Sequence, residues 1–209
     1  MKNKSSTERG ARLKALREAA ADNPDSAKVH LNLGTALMRA GFIDRAEETL
    51  RRSVELDPDF AEAWSNLGGV LLFRWDLDGC VKANQRALDL EPDLIQGHYN
   101  QGLGYLYKGD TEEMVSSFRK VLEREPQNAG AHYYLAVGLN AQGEVDQARA
   151  YLDRAMALGH TPEPAFLKAM ESAPLPEVTA EVTAEVTAGE TGGPAPIFEI
   201  GPDSKDSDQ

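Results

Sequence analysis

An all-α solenoid of helix–turn–helix units is the fold class this sequence predicts, and three observations predict it. Pro24, Pro58, Pro92 and Pro126 recur every 34 residues, a period that marks a chain assembled from stacked two-helix units. Between the prolines the apolar positions follow the helical period, as they must if each helix turns one stripe toward a shared seam. Glycines then fall at two fixed places in the repeat, Gly34, Gly68 and Gly102 in the first helix and Gly41, Gly109 and Gly143 seven residues later.

Taken in chain order, residues 1–24 read as an N-terminal capping helix. Its core runs from Thr7 to Ala21, with Leu16 and Ala19 in the register of a second helix closing at Pro24. Four repeats follow at 25–58, 59–92, 93–126 and 127–160. In each, a mid-helix glycine costs about 1 kcal/mol against alanine, so its return must be close helix packing; Ala136 does this less completely in the fourth repeat. The second glycine suits a left-handed residue that ends the first helix. Asp44, Asp78, Glu112 and Asp146 place a carboxylate near the start of the second helix, where the helix dipole favours it. Asp25, Asp59 and Asp93, just after the repeat prolines, are expected N-caps. Residues 161–172 close the stack with a short capping helix from Pro164 to Ser172, since an open apolar end would otherwise face water.

Beyond Ala173 the composition changes. Glu177-Val-Thr-Ala recurs at Glu181 and Glu185, Gly192-Gly193-Pro194 follows, and eight acidic residues stand against Lys205. Residues 173–209 therefore read as a disordered acidic tail carrying −7 of the net −12. One apolar island interrupts it, Pro196-Ile197-Phe198-Glu199-Ile200-Gly201, as a chance cluster or as a short motif that docks on a partner or on this protein itself.

Function classes fall away by absence. The sequence contains no phosphate-binding glycine loop, no Gly-x-Ser-x-Gly, no paired-cysteine zinc pattern and no haem-attachment motif, so no enzyme, cofactor or metal is expected. His30, His98 and His132 recur in register with Trp64 and read as packing residues, too far apart across repeats to share a metal. Cys80 is the one cysteine and fills the small-residue slot of Ala46 and Ala148, which points to packing. The acidic balance and the lack of an evident basic face argue against nucleic acid. The hydrophilic start and the absence of an 18-residue apolar run argue against a signal peptide and membrane insertion, and a cytoplasmic protein is expected.

The repeat motif carries a family resemblance. His30-x-x-Leu33-Gly34-x-x-Leu37 with Ala46-x-x-x-Leu50 and Pro58 is followed by Trp64-x-x-Leu67-Gly68-x-x-Leu71 with Pro92. His98-x-x-Gln101-Gly102-x-x-Tyr105 leads to Met114-x-x-x-Phe118 and Pro126, and His132-x-x-Leu135-Ala136-x-x-Leu139 to Ala148-x-x-x-Leu152 and His160. This pattern resembles the tetratricopeptide (TPR) repeat. The resemblance implies a protein-binding groove lined by the first helix of each pair, and hence an adaptor or scaffold.

In that register Asn32, Asn66 and Asn100 form a ladder whose amides could donate to and accept from an extended peptide backbone; the plain alternative is a residue common at that position. Tyr134 holds the fourth rung. Phe73, Tyr99, Tyr107 and Tyr133 make the middle and later groove aromatic, which suits apolar or proline-containing segments. The family's carboxylate clamp for EEVD-type termini is not expected, because the corresponding positions read Leu31, Thr35, Asn66, Gln96 and Asn100 and only Asn66 matches. Trp75 stands where the other turns have glycine, either folded over the neighbouring repeat or exposed as a contact. The expected partner is another protein, gripped through a peptide segment. Alternatives are a client-specific targeting or export chaperone, and a homo-oligomeric scaffold that self-associates through residues 196–201.

Overall fold

The computed structural model describes residues 2–172; the acidic tail and its apolar island lie outside the described residues. Within them run ten helices: α1 (Lys2–Asp22), α2 (Ala27–Arg39), α3 (Ile43–Leu56), α4 (Ala61–Phe73), α5 (Leu77–Leu90), α6 (Ile95–Lys108), α7 (Thr111–Arg124), α8 (Ala129–Ala141), α9 (Val145–Ala157) and α10 (Pro164–Ser172). The chain divides into two compact units at Asn100, inside α6. In the first, α2 packs on α3 and α4 on α5, with α1 against α2; in the second, α7 packs on α8 and α8 on α9.

The mid-helix glycines close these pairs. A Cβ on Gly34 would stand 2.6 Å from Leu50 Cγ, and one on Gly102 would stand 2.9 Å from Phe118 Cε2. Gly68 faces Asn84 in the same way. The turn glycines Gly41, Gly109 and Gly143 have φ of +80°, +82° and +83°, which glycine adopts without penalty. The first turns of α3, α5, α7 and α9 carry the expected carboxylates.

Capping at the first helix of each pair differs from expectation. Asp25, Asp59 and Asp93 each lie two residues ahead of their helix, one too early to cap it. Ser26 caps α2 by accepting from the Val29 N–H, Asn128 caps α8 by accepting from Ala131 at 2.9 Å, and Phe60 stands before α4 with no side-chain cap. Two of the aspartates turn instead to an arginine of the second helix, Asp25 to Arg52 and Asp59 to Arg86 at 2.9 Å. The chain end helix α1 starts earlier than expected, at Lys2, and buries Leu13.

The recurrent ring at the start of each repeat has a specific job. His30, His98 and His132 place Nε2 at 2.9, 2.8 and 2.8 Å from the carbonyls of Pro24, Pro92 and Pro126. Trp64 donates Nε1–H to Pro58 O at 2.9 Å. Each ring therefore ties the first helix to the proline turn six residues back. Histidine and tryptophan share the slot because both supply a ring N–H at the right reach.

Two places depart from the repeat. Asn84 occupies the slot held by Leu50, Phe118 and Leu152; it is fully buried, donates to Cys80 O at 2.8 Å, and its Oδ1 meets no partner. Trp75 adopts φ +59° where the equivalent turns use glycine, a conformation that costs a bulky residue roughly 1–2 kcal/mol.

Candidate functional site

The first unit presents three first helices, α2, α4 and the start of α6, and with them the asparagine ladder. Its rungs are not equivalent. Asn32 is exposed. Asn66 is 4 % exposed and donates Nδ2–H to Thr35 Oγ1 at 3.0 Å. Asn100 is 6 % exposed, donates to the Ser65 carbonyl at 3.1 Å and accepts from Gln96 Nε2 at 2.8 Å. The absent side chain of Gly69 leaves room for that amide, since a Cβ there would lie 3.3 Å from Asn100 Nδ2. Asn66 and Asn100 thus tie successive first helices of this unit together, and Asn32 keeps its amide at the surface.

Phe73 ends α4 and is 43 % exposed, although ten of the thirteen α4 residues are buried. Tyr99 is half-buried. Leu31, Met38, Ser65 and Leu72 are buried within the unit. Cys80 lies beneath, its thiol donating to Asn100 O at 3.5 Å; burial pushes its pKa up to about 12, which keeps it a protonated packing group.

In the second unit the aromatics are placed differently. Tyr107 is exposed at the end of α6. Tyr133 is only 7 % exposed because the C-terminal segment covers it: His160 stacks on its ring at 4.4 Å, Phe166 of α10 meets it edge-on at 5.8 Å, and a backbone hydrogen bond from Glu163 reaches its hydroxyl. Tyr134 stacks on Phe118 at 5.1 Å, and burial raises its pKa to about 12. Arg149 anchors this cap from α9 by donating to Met170 O at 2.7 Å. His132 is buried, and desolvation holds its pKa below the ordinary value of 6.5 despite the bond to Pro126. Among the described residues no group of three or more His, Cys, Asp or Glu side chains is placed to hold a metal ion, and no helix is long and apolar enough to cross a membrane.

Two tetratricopeptide-repeat family models match the chain, over residues 10–98 and 99–159. The chain belongs to the tetratricopeptide-repeat family. Its all-α solenoid class is also that of solved TPR structures. MamA is similar at 24 % identity with a TM-score of 0.66, covering 75 % of this chain and 91 % of that one. MamA residues 41–end from Desulfovibrio magneticus RS-1 gives 20 %, a TM-score of 0.64, and coverage of 74 % and 89 %. YrrB, described as a TPR protein with an unusual peptide-binding site, gives 20 %, a TM-score of 0.63, and coverage of 80 % and 86 %. At these identities the likeness is one of fold. None of the curated proteins matched this sequence.

Sequence reasoning missed two features of this TPR chain. The ring-to-proline bonds were signalled by four ring N–H donors each six residues after a proline. The polar core slot was signalled by reading Leu50, Asn84, Phe118 and Leu152 as one column of the repeat.

Proposed function

We propose that this TPR chain is a non-catalytic adaptor or scaffold in the cytoplasm, and that it holds a short extended segment of a partner protein on the first-helix face of its first unit. The exposure of Phe73 at the end of the mostly buried α4 is the observation that carries the reading. An aromatic ring left half in water on a well-packed helix is an anchor for an apolar partner residue. Asn32, exposed on α2, supplies an amide that can pair with a peptide backbone, and Tyr99 adds amphipathic contact area. Asn66 and Asn100 support the face from below by fixing α2, α4 and α6 to one another. The fold shared with YrrB is consistent with a peptide ligand.

Affinity capture from native lysate with the full chain tests the reading, run beside an Asn32→Ala/Phe73→Ser bait of matched helicity. Both residues are exposed, so the double variant is expected to fold as the parent does. A protein retained by the parent and lost by the variant supports the peptide-binding face and identifies its client. Equal retention by both baits moves the binding site elsewhere.

A further inference from the structure

The turn between the two helices of a repeat is built to a rule that the first unit breaks twice. At the residue ending the first helix, Gly41, Gly109 and Gly143 take positive φ, and Trp75 takes it at +59°. At the following residue, the N-cap of the second helix, Asp76, Asp110 and Glu144 stand where the first repeat has Phe42. Of these carboxylates only Asp76 accepts from the helix, from the Gly79 N–H at 2.9 Å. Asp110 and Glu144 make no side-chain cap bond and place only a negative charge at the helix start, and Phe42 supplies neither bond nor charge. Glycine and aspartate would serve the local fold better at these two positions, by conformation in one case and by negative charge at the helix start in the other. Both substitutions instead put a large ring in water, Trp75 at 68 % and Phe42 at 47 % exposure.

The two rings share an edge of the first unit. Arg74, adjacent to Trp75, pairs with Asp44, two residues after Phe42, and its Nε lies 2.8 Å from Glu47. That bridge fastens the end of α4 to the start of α3. Asp44 is matched by Arg74, and Asp76 accepts from the Gly79 N–H; Glu48 of α3 and Asp78 of α5 are further exposed carboxylates, set against Arg45.

We propose that this turn edge is a second docking surface, for a cationic apolar segment of another protein: an aliphatic or aromatic side chain flanked by lysine or arginine. The Trp75 face attracts a cation through its quadrupole. The carboxylate rim selects the same charge, and the net charge of −12 steers such a partner toward the chain. Backbone strain held at an exposed residue is a mark of contact sites. The proposal rests on Trp75 and Phe42 and stands whether or not the first-helix face binds peptide.

Trp64→His gives a clean reporter, because histidine already makes the ring-to-proline bond in the other three repeats and Trp75 becomes the single tryptophan. In this full-length background, acrylamide quenching of Trp75 is measured with a panel of capped, fluorescein-labelled 12-residue peptides. Each carries Leu or Phe between Lys or Arg residues, and each has a Glu-for-Lys/Arg counterpart; anisotropy reads affinity. The expected result is binding by members of the basic panel with a fall of about twofold or more in quenching. Affinity should drop at least about tenfold for the acidic counterparts, for Trp75→Gly and for Phe42→Asp. Both variants should melt at or above the parent temperature, because each restores the residue the turn prefers. The proposal is overturned by a silent basic panel, by equal binding of the acidic panel, by binding that survives Trp75→Gly, or by a lower melting temperature in that variant. It is also overturned if the free chain already shields Trp75. Shielding relieved by dilution would assign the edge to a second copy; shielding relieved by Ile197→Ser/Phe198→Ser/Ile200→Ser would assign it to the chain's own tail.

Discussion

Among the described residues the second unit buries two of its aromatic rings, Phe118 and Tyr133, and exposes one, Tyr107, whereas the first unit buries none and exposes three. Tyr133, under His160 and Phe166, and Tyr134, stacked on Phe118, hold α8 to the cap and to α7. Phe42, Phe73 and Trp75 of the first unit are all exposed. Even their backbones differ, since the turn that is relaxed on glycine at Gly143 is strained on Trp75. A terminal repeat must close an open apolar end, and rings are efficient cover. Rings that stand exposed present apolar surface to solvent. The comparison explains why the functional readings fall on the first unit, although the sequence ranks the two units alike in aromatic content.

The comparison breaks most visibly at Phe118. Phe118→Ala should cost about 3–5 kcal/mol in urea unfolding, as for a fully buried aromatic, while Phe73→Ala should stay within about 0.5 kcal/mol. Similar losses for the two would end the distinction between inner and outer rings. Next come the asparagines. Asn100→Ala should cost roughly 1–3 kcal/mol because it removes a buried amide bonded to Ser65 and Gln96, and Asn32→Ala should be neutral within about 0.5 kcal/mol. Asn84→Leu should stabilise the first unit by roughly 1–2 kcal/mol, because it replaces a buried oxygen without a partner by the side chain that fits against Gly34 in the first repeat.

The smallest effect is acid-dependent and confined to the second unit. Folding lowers the His132 pKa below 6.5 by burial, so the folded state favours the neutral ring that donates to Pro126. Its contribution to stability is fully present above the unfolded value of about 6.5 and is lost as pH falls through the lower folded value. Melting curves between pH 7.5 and 5 should show the parent losing more stability than His132→Trp, which keeps a ring N–H and does not titrate.

The helical repeat was legible because its determinants are periodic and local. Prolines, turn glycines and first-turn carboxylates announce themselves at 34-residue spacing, and each acts within its own turn. What escaped depends on neighbours distant in sequence. Asn66 meets Thr35 across 31 residues and Asn100 meets Ser65 across 35, so the column that reads as a ligand-facing ladder holds two structural rungs and one exposed one. Asp25 and Asp59 stand one residue too early to cap and pair instead with arginines 27 residues on. The fate of Tyr133 was set by a capping segment whose sequence shows a helix and not the face it covers. The strain at Trp75 was half legible: the missing glycine is visible, the exposure of the ring is not.

The central claim, a partner segment on the first-helix face of the first unit, is tested most directly by site-specific photocrosslinking in the full chain. Benzoylphenylalanine is placed at Asn32 in one protein and at Lys82, exposed on α5, in another, and the products formed in cells are mapped by mass spectrometry. The account predicts a discrete product from position 32 that maps to one short segment of one protein, with no such product from position 82. Products from position 82 alone, or from neither position, would contradict it.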